Sequence, residues 1–110
     1  MQRLIRYFIS SGLVCFVALV TTTQAQSGPA TIYTTNCAMC HGPDGSADNP
    51  TGKALHAKDL RSEEVQTKSD AELADVINKG NGGMPAFAAK LAPEDVQKVV
   101  AYIRDLAKKK

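Results

Sequence analysis

The sequence predicts an all-α domain of three to five helices. Apolar residues recur at helical spacing in residues 29–37, 69–80 and 93–108. No run alternates apolar with polar residues as a half-buried strand would, and the intervening stretches are dense in glycine, proline, asparagine and aspartate. Cysteine and histidine are sparse enough in the 110 residues that each one can be weighed singly.

Residues 1–25 read as a secretory signal peptide. Arg3 and Arg6 form a positive start, residues 7–20 are apolar, and Thr23-Gln24-Ala25 ends in a small residue suited to cleavage before Gln26. A spanning helix needs about 20 apolar residues, more than this run supplies, so export and removal are expected. An uncleaved membrane anchor is the alternative, and lipid attachment at Cys15 is disfavoured by Val14, where such sites prefer a small residue. Residues 26–110 then make one domain, too short for two. With Arg3 and Arg6 removed, lysines and arginines equal aspartates and glutamates in number, so the overall charge of +2 vanishes. That balance argues against nucleic-acid binding. The basic Lys108-Lys109-Lys110 end is expected to be solvated, with partner docking as its other use.

The first helix is expected to start at Pro29, after Ser27 or Gly28 as cap, with Ile32, Tyr33 and Asn36 leading to Cys37-Ala38-Met39-Cys40-His41. C-x-x-C-H is the attachment signature of a c-type haem. Two cysteines three positions apart lie on one side of a helical turn, where each sulfur can add to a vinyl group of a haem lying against it. His41 then offers an imidazole nitrogen to the iron. A thioredoxin-like dithiol would need a β-α-β context that this sequence lacks. A tetrahedral zinc site would need four ligands, and outside this stretch only Cys15 and His56 are donors of the usual kind. Loss of Cys15 with the signal peptide leaves Cys37 and Cys40 alone, and two thioethers would leave no free thiol in an oxidising compartment. A macrocycle would also enlarge a core that is thin in so short a domain.

Residues 42–52 are so rich in turn formers that the sequence predicts an irregular loop. Residues 54–60 show little periodicity, with Leu55 and Leu60 as apolar anchors, and residues 62–67 suit a short helix. Ser69 with Glu72 reads as a capping box. Leu73, Val76 and Ile77 follow on one face, and Gly80 is a natural stop. Residues 81–87 break regular structure again. Pro93 then opens the strongest helix, to Lys108, with Val96, Val99, Val100, Ile103 and Leu106 on one stripe, Glu94 and Asp95 in its first turn and a basic last turn.

A haem iron bound by His41 has a second axial position, for which Met84 is the best candidate. It stands between glycines that free the backbone and a proline that stiffens it. Met39, between the cysteines, points away from the face they use. His56 is the rival ligand, although a lone loop histidine more often lies at the surface.

With Cys37-Ala38-Met39-Cys40-His41-Gly42, the Gly83-Met84-Pro85-Ala86-Phe87 loop and Val100-Ala101-Tyr102-Ile103-Arg104 in one order, the chain resembles a small bacterial class I c-type cytochrome over nearly all of residues 28–107. The resemblance implies a class I cytochrome c fold wrapped round one covalently bound haem c, with the first and last helices crossing near Tyr33 and Tyr102. It implies His41 and Met84 as axial ligands, both retained during outer-sphere electron transfer. Relatives often carry a glycine eight residues before the first cysteine, where this chain has Pro29. A loop proline whose carbonyl accepts the histidine ring N–H is also usual; Pro50 is the candidate, with Pro43 second. The usual Ser or Thr cap of the last helix is replaced by Ala92.

The expected function is a soluble, monomeric periplasmic electron carrier between redox protein partners, meeting membranes only through membrane-bound complexes. No residue is nominated as catalytic. The alternatives are a haem enzyme or sensor with a labile sixth ligand, which would require a displaceable Met84, and a subunit permanently docked in a larger oxidoreductase. Electron transfer needs close approach and fast release, so the haem edge is expected beside an apolar patch drawn from Ala86, Phe87 and residues 37–39. Docking should then be weak and only modestly sensitive to salt.

Overall fold

The computed structural model describes residues 27–110; the expected signal peptide, residues 1–25, lies outside them. Six helical segments follow in order: α1 Pro29–Asn36, α2 Ala38–His41, α3 Pro50–Ala54, α4 Glu63–Gln66, α5 Asp70–Lys79 and α6 Pro93–Lys108. The all-α class is as expected. The count exceeds three to five because α2, α3 and α4 are each about one turn long. Among the described residues the only strand-like pairing is an isolated bridge between Asn81 and Met84. No described helix is long and apolar enough to cross a membrane.

Helix α6 is the hub, packed against α1 and α5. Its expected stripe is its buried face: Val96, Val99, Val100, Ile103 and Leu106 are all at most 5% exposed. Ala92 makes no side-chain cap, so the helix start depends on Pro93 and on Glu94 and Asp95 beside the exposed N–H groups. Arg104 holds the α4–α5 turn to α6 through Asp70 Oδ1 at 2.8 Å, the Lys68 carbonyl at 2.6 Å and the Gln66 carbonyl at 3.1 Å. In α5 the capping box of Ser69 and Glu72 forms in full. Leu73, Ala74 and Ile77 are buried, whereas Val76 is half-exposed.

The first and last long helices meet at Tyr33 and Tyr102, whose ring centroids lie 4.9 Å apart with planes 40° from parallel. The contact does not use a glycine: a Cβ on Gly28 would meet nothing within 4 Å, and α1 instead buries Ile32 and Tyr33. The Tyr33 hydroxyl donates to the Gly42 carbonyl at 2.7 Å, tying the crossing to the end of the cysteine-bearing turn. Burial, ahead of the neighbouring Cys37, holds this hydroxyl far above the ordinary tyrosine range, so it stays a donor. Tyr33→Phe would leave the Gly42 carbonyl buried without that partner. The Gly45 N–H still donates to that carbonyl at 3.2 Å, so we expect a loss of about 0.5–1.5 kcal/mol, read as a lower thermal midpoint with unchanged helix content by circular dichroism.

Two local expectations are corrected. Residues 42–52 are not irregular throughout, because Pro50 opens α3, with Asn49 as its cap accepting from the Gly52 N–H at 2.7 Å. Asparagine followed by proline starts a helix as readily as a turn. Leu55 is not an anchor either: it is 47% exposed, whereas Leu60 is buried.

Candidate haem site

Helix α1 ends at Asn36 with Cys37 as its cap, and the chain continues through α2 as one further turn that Gly42 stops with φ of 78°. That turn sets Cys37, Cys40 and His41 along one wall of a cleft. The first lobe, about 310 Å³, is lined by Cys37, His41 and Met84 together with apolar side chains from residues 60–77 and from α6. A second lobe of about 250 Å³ shares those three residues and adds Cys40, Met39, Leu55, Pro85 and Phe87. Val76 is half-exposed because it faces this cleft instead of packing into the core.

His41 Nδ1 lies 2.8 Å from the Lys58 carbonyl oxygen. A carbonyl only accepts, so the proton sits on Nδ1 and the lone pair on Nε2, the tautomer a metal ligand requires. The acceptor is therefore neither Pro50 nor Pro43. Pro50 stands in the first turn of α3, and the chain returns past the ring only after His56, which adopts φ of 53°. Lys58 also ion-pairs with Glu64 at 2.9 Å, and its ammonium holds the Glu64 carboxyl below the usual carboxylate range. Sequence reading missed Lys58 because a main-chain acceptor leaves no mark in residue type.

Met84 is carried by a tight turn. Its N–H and carbonyl both pair with Asn81, at 2.9 and 3.0 Å. Gly80 precedes the turn with φ of 74°, where a Cβ would come within 2.6 Å of the Met84 carbonyl, so that position requires glycine. Phe87 N–H donates to the Ile77 carbonyl at 2.9 Å and fastens the far end of the loop to α5. His56 is exposed and lines neither lobe. Met39 is 78% exposed on the rim. Phe87 belongs to the core at 7% exposure, so the exposed apolar rim consists of Met39 and Leu55, beside exposed Ala86 and Pro85. Burial, and then Cys40, push the Cys37 thiol up to about 11.

The fit to a haem is good on these grounds: apolar walls for a macrocycle, two half-buried thiols on one turn, an imidazole with a fixed tautomer and a thioether, all facing one cleft. The family model described as cytochrome c oxidase, cbb3-type, subunit III matches residues 24–103. This chain belongs to the small class I c-type cytochromes. The cytochrome is 37% identical to the cytochrome c6 of Synechocystis sp. over 78 residues, which is 71% of this chain and 62% of that one. It is 37% identical to the cytochrome c6 of Microcystis aeruginosa, covering 73% and 95% of the two chains, and 30% identical to that of Thermosynechococcus vestitus, covering 93% of both. A solved c-type cytochrome superposes with a TM-score of 0.64 at 34% identity, over 73% of this chain and 98% of that one. As a member of the family, the cytochrome carries one covalently attached haem c.

Proposed function

We propose that this cytochrome is an exported, soluble, monomeric electron carrier of the periplasm, with residues 1–25 as its signal and residues 26–110 as its working domain. Cys37 and Cys40 form the thioethers, and His41 and Met84 are the axial ligands. The bound haem supplies a one-electron ferric–ferrous couple. The observation that carries the reading is that Met84, far from the cysteine turn in sequence, lines the same cleft as Cys37 and His41. The Lys58 carbonyl makes the His41 ring electron-rich, and the Asn81–Met84 bridge with Gly80 fixes the main chain from which the Met84 thioether projects. Groups held that firmly move little between charge states, which suits electron carriage and leaves no site for a substrate. Donor and acceptor proteins dock on the rim at Met39 and Leu55, where the apolar surface permits close approach and fast release.

A permanently docked subunit is the second reading, favoured by the oxidase-subunit description of the matching family. The native protein decides. We expect a monomeric chain beginning at Gln26 by intact mass, taking up one electron per chain reversibly and exchanging it with redox proteins at rates that fall only modestly with salt. A stable complex on gel filtration would support the docked subunit instead. A steep salt dependence would show that a local charge patch, and not the apolar rim, governs docking.

A further inference from the structure

We propose that Asn49 is a positioning residue for the proximal histidine, joining the cysteine turn to the strap that orients the His41 ring. The inference rests on the reading of His41 as an iron ligand. The side chain makes two bonds: Nδ2 donates to the Cys40 carbonyl at 3.2 Å, and Oδ1 accepts from the Gly52 N–H at 2.7 Å. The partners fix the orientation of the amide, because turning it over would set oxygen against oxygen and nitrogen against N–H. From Gly52 the connection continues: its carbonyl accepts from the Ala57 N–H at 2.8 Å, and the next residue, Lys58, supplies the carbonyl that takes the His41 ring N–H at 2.8 Å. Cys40 is bonded to His41 in the chain, so these four hydrogen bonds form a closed ring through Asn49.

The ring is tightly packed as well as bonded. A Cβ at Gly52 would overlap the Cys40 carbonyl oxygen, so α3 lies directly against the cysteine turn. Asn49 is the only side chain in the ring besides the imidazole; the other members are main chain. The only side-chain bond in the ring between the cysteine turn and the strap that carries the Lys58 carbonyl is thus made by one amide. An asparagine acting only as the cap of α3 would need Oδ1 alone, and the bond from Nδ2 to Cys40 is what a cap does not explain.

Serine separates the two roles. It caps a helix about as well as asparagine, carries no charge and is too short to reach both Gly52 and Cys40. In the haem-loaded protein we expect Asn49→Ser and Asn49→Ala to share the same upward shift in reduction potential, because a looser Lys58 contact makes the imidazole less electron-rich and favours the ferric state less. Both should also show severalfold faster solvent exchange of the His41 Nδ1 proton by NMR. Thermal stability should fall clearly only in the alanine variant. A serine variant with wild-type potential and wild-type exchange would overturn the proposal and reduce Asn49 to a cap, leaving the electron-carrier reading intact. Should His41→Ala keep an unaltered haem spectrum, the ligand reading itself would fall, and the inference with it.

Discussion

Replacing both Cys37 and Cys40 by alanine is expected to abolish haem staining of the chain on a denaturing gel and to cost the protein its cooperative fold. The covalent part follows from chemistry, since two thiols are the nucleophiles for two vinyl groups and no other cysteine is present among the described residues. The folding part follows from burial. The first lobe alone is about 310 Å³, walled by Leu60, Val65, Leu73, Val76, Ile77, Val99 and Ile103. Without haem those apolar walls stand open to water, and each Å² of apolar surface so exposed forgoes about 25 cal/mol. A small domain has only about 5–15 kcal/mol of net stability. The double variant should therefore keep some helix by circular dichroism but melt broadly, without a sharp transition. Colour that survives denaturation in that variant would refute the attachment.

The second large effect is expected at Met84. With its sulfur on iron, the oxidised protein should show the weak near-infrared sulfur-to-iron charge-transfer band, and cyanide or carbon monoxide should bind slowly or poorly. Met84→Ala should remove the band, admit carbon monoxide readily to the ferrous protein and lower the reduction potential, because a thioether favours ferrous iron more than water or hydroxide does. His56→Ala should change none of the three, since that side chain is exposed and away from both lobes. If wild-type protein takes up carbon monoxide quickly and Met84→Ala has no effect, the sixth position is open and a ligand-binding enzyme or sensor is the better account.

Much of this architecture was legible in the sequence because the relevant physics is local. The capping box at Ser69 and Glu72, the apolar stripe of α6 and the C-x-x-C-H turn each depend on residues within a few positions of one another. The features that escaped are those in which one residue type serves two purposes or the main chain does the work. Asn49-Pro50 looked like a turn and starts a helix. The acceptor for the His41 ring is a carbonyl, which any residue carries, so nothing in residue type marks Lys58 off from its neighbours or from Pro50 and Pro43. Val76 stands at helical spacing with Leu73 and Ile77, and Leu55 is an apolar residue in a stretch of little periodicity, yet they face the cleft and its rim instead of the core. Phe87 differs in the other direction: the need for an apolar docking patch at the haem edge puts it on the surface, whereas its side chain is buried in the core and its N–H is bonded to the Ile77 carbonyl.

The meeting of Tyr33 with Tyr102 also bears on how far the chain can vary in length. It closes residues 34–101 into one loop fastened by α1 and α6. The entropy of closing a flexible loop rises only with the logarithm of its length, so even a doubling costs about 0.6 kcal/mol. Extra residues are then limited by where they fall and hardly at all by how many there are. The exposed turn at residues 88–90 can absorb an insertion. A single residue added between Asn81 and Met84 would break the paired main-chain bonds that fix the backbone carrying the proposed ligand Met84.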